Sequence, residues 1–167
     1  MRNISLTQQY KQAVTDWNAK QQFTLFGTCQ FMFKSDRKIE DRKKAVMRFR
    51  NAVARAIYTA KEIATEGKRV ERIVYLEQGR SRDYVHFHFF CKANNPTQLK
   101  TLINTTQHFW NNKVEDTQTL VIKLNQNSDY RDGYGIKEYE AICFDDNRNF
   151  KTEILNEQIF VECCHLT

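Results

Sequence analysis

Glycine and proline are scarce in this chain, with five glycines and a single proline, Pro96, among 167 residues. None of those glycines falls into the G-x-x-x-x-G-K-[ST] pattern that cradles nucleoside phosphates, so a P-loop helicase is excluded from these residues. No repeat or low-complexity stretch interrupts the sequence, and no apolar run approaches the 18 or so residues a membrane helix requires. With no secretory signal pattern either, the expectation is a soluble, cytoplasmic protein without a membrane partner, or one inside a host cell if the chain is viral. The cysteines number five, an odd count without C-x-x-C spacing, which speaks against a disulfide framework and a thiolate zinc site. Cys163, Cys164 and His165 at the tail are read as reduced, unligated side chains in the same way.

Positive charge, by contrast, is in excess. Lys and Arg number 26 against 20 acidic residues, a net charge of +6, which favours a polyanionic partner through counterion release. Much of the excess is local, with Lys34, Arg37, Lys38, Arg42, Lys43, Lys44, Arg48, Arg50 and Arg55 in one segment. There Ile39, Val46, Phe49, Val53, Ile57, Ala60 and Ile63 follow a helical period, which puts the charges on the outer face. Such a face would grip phosphates and set register more than read sequence.

Two of the four histidines sit in one apolar run, Tyr84-Val85-His86-Phe87-His88-Phe89-Phe90-Cys91. On a β-strand alternate side chains share a face, so His86 and His88 project together about 7 Å apart at the backbone. Val85, Phe87, Phe89 and Cys91 then form an apolar opposite face that can seal a core. Upstream, Arg69 to Glu77 alternates with β-branched residues and ends at the polar loop Gln78-Gly79-Arg80-Ser81-Arg82-Asp83, a hairpin signal. In that hairpin Glu77 comes within reach of His86 or His88. Two imidazoles and one carboxylate leave positions open on a six-coordinate ion, which suits Mn²⁺ or Mg²⁺ held together with a phosphate. A closed zinc site would want four protein ligands.

Downstream, Tyr134-Gly135-Ile136-Lys137 places a phenol and an ammonium at i, i+3, one face of a helix if the segment is helical. A free phenol, with a pKa near 10, is a weak nucleophile at neutral pH. Metal coordination or a suitable neighbour activates it for covalent catalysis, and the Lys137 ammonium would stabilise a developing phenolate or bind the phosphate under attack.

Taken in order, these residues resemble the three motifs of the HUH endonuclease superfamily, and within it the rolling-circle replication initiators, or Rep proteins. Phe23-Thr24-Leu25-Phe26 looks like the first motif, usually written F-T-L-T, with Phe26 departing from its polar last position. His86-Phe87-His88 matches the second, with Glu77 in the place of the acidic ligand, and Tyr134-x-x-Lys137 matches the third. The motifs span Phe23 to Lys137, about two thirds of the chain. Relaxases put the tyrosine before the histidines and related transposases pair it with glutamine, so the Rep order fits better. Tyr10 could mimic the relaxase order, but it lies in a polar stretch with no third histidine nearby.

The resemblance implies an enzyme that nicks and rejoins single-stranded DNA at a replication origin, using Mn²⁺ or Mg²⁺ on Glu77, His86 and His88. Tyr134 would attack, leaving a 5′-phosphotyrosine and a free 3′-hydroxyl for a polymerase, with a host or separate helicase opening the duplex. Tyr130 or Tyr139 is a candidate second nucleophile. Thr24, Lys34, Arg37, Lys38, Arg42, Lys43, Arg80 and Arg82 are the candidate DNA contacts. The alternatives are a related relaxase or transposase, or a nucleic-acid-binding module without chemistry. An RRM-type RNA binder lacks its glycine-aromatic motif here.

The element order expected from periodicity is a helix over 5–19, a strand over 22–33 and a long helix over 37–65. Strands over 69–78 and 83–92, a helix over 97–110 and a strand over 118–125 follow, with one or two more strands within 149–164. This β-α-β-β-α-β order predicts an α+β fold: a ferredoxin-like or RRM-like antiparallel sheet of about five strands, with helices packed mainly on one face. The other, uncovered face would present the histidines. At this length the chain is read as one domain over 1–167, with a helical segment over 1–20 and a C-terminal extension over 149–167.

Overall fold

The computed structural model describes residues 6–33, 38–77 and 84–125. Its elements run α1 (Leu6–Lys20), β1 (Leu25–Phe31), α2 (Ile39–Ile57), α3 (Ala60–Thr65), β2 (Arg72–Glu77), β3 (His86–Cys91), α4 (Pro96–Lys113) and β4 (Thr117–Leu124). The fold is α+β, with one open antiparallel sheet in the order β2-β3-β1-β4. Among the described residues the sheet has four strands, not about five, and the further strands expected within 149–164 lie outside those residues. No described helix is long and apolar enough to cross a membrane.

Strand alternation sorts the sheet into two faces. On one, Leu25, Cys29, Phe31, Val74, Leu76, Phe87 and Phe89 pack against Val46, Phe49 and Val53 of α2 and Leu102, Phe109 and Trp110 of α4. Aromatic rings knit this core together, with Phe49 and Phe89 at 5.0 Å and Phe31 and Trp110 at 5.1 Å between centroids. Each such fully buried side chain contributes roughly 1.5–3 kcal/mol of transfer free energy. Gly27 belongs to the same layer, and its bare backbone lets the Phe89 ring lie where a Cβ would otherwise stand.

The long helix expected over 37–65 is two helices. Tyr58 and Thr59 are extended, and Thr59 opens α3 with a capping box: its hydroxyl accepts from Glu62 N–H at 3.3 Å, and Glu62 Oε2 accepts from Thr59 N–H at 2.9 Å. A local start signal of this kind competes with continuation of the preceding helix, although the apolar period runs through both.

The charged stripe on α2 also differs from expectation at two positions. Arg42 and Arg50 are buried, at 3% and 9% exposure. The Arg42 guanidinium lies 4.3 Å over the Phe31 ring and 3.9 Å from Asp116, while Arg50 donates to Met47 Sδ at 2.7 Å. Long cationic side chains bury their stems against rings and keep partners for their heads, which a helical-wheel reading does not anticipate.

The second face carries Phe23, Phe26, Ile73, Tyr75 and Phe90, with Trp17 of α1 packed against them. In the same layer stand Glu77, His86 and His88. This face is not uncovered there, since the three residues are only 3%, 5% and 1% exposed.

Candidate metal centre

The antiparallel pairing of β2 with β3 sets Glu77 directly opposite His86, and Tyr75 opposite His88. Because strand side chains alternate, the carboxylate and both imidazoles emerge on one face within one step of register. His86 Nε2 is 2.9 Å and His88 Nε2 3.5 Å from the same atom, Glu77 Oε2. The two rings stand 4.9 Å apart, nearly perpendicular. One donor atom from each residue lies within 4.8 Å of the other two.

The far side of each imidazole is held. His86 Nδ1 lies 3.0 Å from the Tyr84 carbonyl oxygen, and His88 Nδ1 lies 2.8 Å from Thr28 Oγ1. A carbonyl only accepts, so His86 Nδ1 donates to it, and Nε2 is the ring atom aimed at Glu77. Two acceptors in a buried site do not rest 2.9 Å apart without positive charge between them, and a proton or a metal ion supplies it. Bonds of about 2.0–2.2 Å to a divalent ion set neighbouring ligand atoms about 3.0–3.4 Å apart. The observed 2.9 and 3.5 Å bracket that spacing, and a carboxylate with two Nδ1-anchored histidines is a donor set that fits such an ion.

Burial is the largest influence on the Glu77 carboxyl and raises its pKa. The hydrogen bonds from His86 and His88, with the charges behind them, together outweigh it and hold the group below the usual carboxylate range. Glu77 is therefore an anion at neutral pH, as a ligand must be.

Phe26, the departure from the first motif, stacks on His88 at 5.8 Å with planes 18° apart. Its apolar ring shields the ligand where a polar residue would compete for hydrogen bonds. Thr24 immediately precedes β1, two residues before Phe26. Its hydroxyl donates to the Cys91 carbonyl at 3.4 Å and accepts from Ala93 N–H at 2.8 Å, clipping β3 to the start of the α4 connection. That is an internal, positioning role.

The sequence-derived candidates thus divide. Glu77, His86 and His88 come together. Arg42 is buried, Lys43 pairs with Glu40 at 3.0 Å, and exposed Lys38 is the N-cap of α2, the helix that packs on the face opposite the histidines. Tyr134, Lys137, Tyr130, Tyr139, Lys34, Arg37, Arg80 and Arg82 lie outside the described residues. Thr28 was missed, although its place two residues after Phe26 puts it on the ligand face of β1; its partner could not be named before the pairing of β1 with β3 was known. Compared with known proteins, the chain matches no family model, no curated protein and no solved structure.

Proposed function

We propose that the protein is a metal-dependent strand transferase that nicks and rejoins single-stranded DNA at a replication origin. The observation that carries this reading is the convergence of His86 Nε2 and His88 Nε2 on one oxygen of Glu77, with both Nδ1 atoms engaged behind them. The finer description of the fold as ferredoxin-like or RRM-like is part of the same proposal. Its support is the strand order β2-β3-β1-β4 and the alternation of strands and helices along the chain.

When bound, Mn²⁺ or Mg²⁺ would polarise a phosphodiester and offset charge gathering on its oxygens. Glu77 supplies a fixed negative charge, and His86 and His88 supply neutral donors whose orientation the Tyr84 carbonyl and the Thr28 hydroxyl fix. Tyr134 is the proposed nucleophile. Its phenolic oxygen bonds to phosphorus as the bond to the 3′ oxygen breaks; the phenol proton passes to solvent and the departing oxygen takes one up as a 3′-hydroxyl. The 5′-phosphotyrosine keeps the energy of the original diester, so attack by a 3′-hydroxyl rejoins the strand without a nucleotide cofactor. Lys137, three residues after Tyr134 in the sequence, would stabilise the phenolate or bind the phosphate under attack. A polymerase and a separate or host helicase are the proposed partners, in the cytoplasm or inside a host cell.

A second reading, a nucleic-acid-binding module without chemistry, draws on the burial of all three ligands at 5% exposure or less. Incubation with single-stranded oligonucleotides from the protein's own replicon and Mn²⁺, followed by a denaturing gel, separates the two. The enzyme yields a covalent adduct that EDTA abolishes. An adduct that persists in Tyr134→Phe removes the nucleophile assignment, and unimpaired metal-dependent cleavage by His86→Ala removes the triad. Binding that is indifferent to EDTA, with no adduct, is the signature of the module.

A further inference from the structure

Among the described residues, large apolar side chains are exposed beside the triad at one end of the sheet, where β1 ends and β3 begins. Met32 is 51%, Phe33 49% and Tyr84 38% exposed. The Phe33 and Tyr84 rings lie 6.3 Å apart, the Tyr84 ring is 5.8 Å from His86, and His86 is 4.9 Å from His88. A row of rings therefore leads from solvent to the triad. Its backbone is fixed: Phe31 N–H donates to the Val85 carbonyl at 3.0 Å and Met32 N–H to the Asp116 carbonyl at 2.7 Å. The strand ends that carry the rings are thus anchored before any ligand arrives, which lowers the ordering cost of binding.

At the same end of the sheet, on its helix-covered side, Phe31 lines a groove of about 670 Å³ of mixed charge, where Lys43 pairs with Glu40 at 3.0 Å and Lys44 with Asp41 at 3.6 Å. Partly exposed rings and a carboxylate-imidazole cluster lie together at one end of the sheet, in a chain whose net charge is +6. Each matches a part of one polymer: a flat base with two apolar faces, a diester to be acted on, and a phosphate chain. A duplex keeps its base faces covered, so the match is to a single strand.

We propose that Phe33 and Tyr84 form a stacking platform for an unpaired base of single-stranded DNA, which registers the neighbouring phosphate on Glu77, His86 and His88. The choice of polymer rests on the strand-transfer reading above; the platform itself is a binding site and does not require cleavage.

The test uses the full chain and fluorescein-labelled (dT)15 in EDTA at low salt, with fluorescence anisotropy as the readout. Loss of stacked bases weakens binding by roughly 5- to 150-fold per base. Phe33→Ala and Tyr84→Ala are expected to fall in that range, whereas Tyr84→Phe and Phe33→Trp keep a ring and bind as the parent does. Quenching of a 2-aminopurine placed along the strand should occur with the parent and be lost in the alanine variants. Unchanged affinity and quenching in the double alanine variant overturn the platform, as does failure of the parent to bind (dT)15, or equal binding of a 15-base-pair duplex. Cleavage in Mn²⁺ is scored separately, with the same variants and single-stranded oligonucleotides from the protein's own replicon. A binding loss with no adduct from any variant leaves the platform standing and removes the nicking activity; an adduct with unchanged binding does the reverse.

Discussion

Thr28 Oγ1 lies 2.8 Å from His88 Nδ1, across the pairing of β1 with β3, and so a hydroxyl on one strand sets the ring orientation of a candidate ligand on the next. Outer partners of this kind are commonly worth 10- to 100-fold in metal affinity. Thr28→Val keeps the shape of the side chain and removes the hydrogen bond, and is expected to weaken Mn²⁺ binding by about that factor. Thr28→Ser restores the hydroxyl and should recover most of the loss. Isothermal titration with Mn²⁺ reads both. Equal affinity in Thr28→Val and the parent would show that Thr28 does not orient His88 for a metal.

Binding of an ion to the folded state alone also raises thermal stability. At a metal concentration 100 times Kd the gain is about 2.7 kcal/mol, which for a chain of this length shifts the midpoint by about 5–10 °C. The parent protein should show this shift with Mn²⁺ or Mg²⁺. Glu77→Gln, which keeps the size of the side chain and removes its charge, and His86→Ala should both abolish it. Calorimetry that finds the same shift in either variant places the ion elsewhere.

The triad was legible in the sequence because everything needed to assemble it is local. His86 and His88 share a face by strand alternation alone, and one hairpin carries Glu77 to them. Thr28 was not legible as a partner because it meets His88 through pairing between strands 60 residues apart in sequence, and alternation gives a face but no register across such a separation. The Tyr84 carbonyl leaves no trace at all, since a main-chain acceptor is independent of side-chain identity. Burial of the histidines was misjudged for a related reason: alternation identifies the second face of a sheet and is silent on what lies against it. The break between α2 and α3 was present as Thr59-x-x-Glu62, but an apolar period that runs through a boundary conceals it.

Gly27 faces the ring of Phe89, and a methyl group at that position would overlap ring atoms. Overpacking of this kind costs about 1–3 kcal/mol, and more where the backbone cannot move. Gly27→Ala should lower the urea midpoint accordingly, with little change in the slope of the transition. Adding Phe89→Leu to Gly27→Ala opens the space, so the double variant should be more stable than the sum of the single losses allows. Strict additivity would mean that the two residues do not compete for the same volume.

Cys29 is fully buried on the helix-covered face of β1, and burial, with Cys91 a lesser contributor, pushes its thiol well above the usual range. In the unfolded chain the same thiol ionises near pH 8.5. Below that value both states are protonated and Cys29 confers no pH dependence. Above it the unfolded state loses its proton while the folded state keeps one, so the unfolded state binds fewer protons and stability falls as pH rises. The limiting slope is about 1.4 kcal/mol per pH unit for one group. Urea unfolding of the parent between pH 7 and 10, under reducing conditions, should therefore show a steeper decline than that of Cys29→Ala. A thiol reagent at pH 8 should label Cys29 only as fast as the protein opens. Parallel pH curves for parent and variant, or labelling of Cys29 at the rate of a free thiol, would mean that its burial does not hold the proton on.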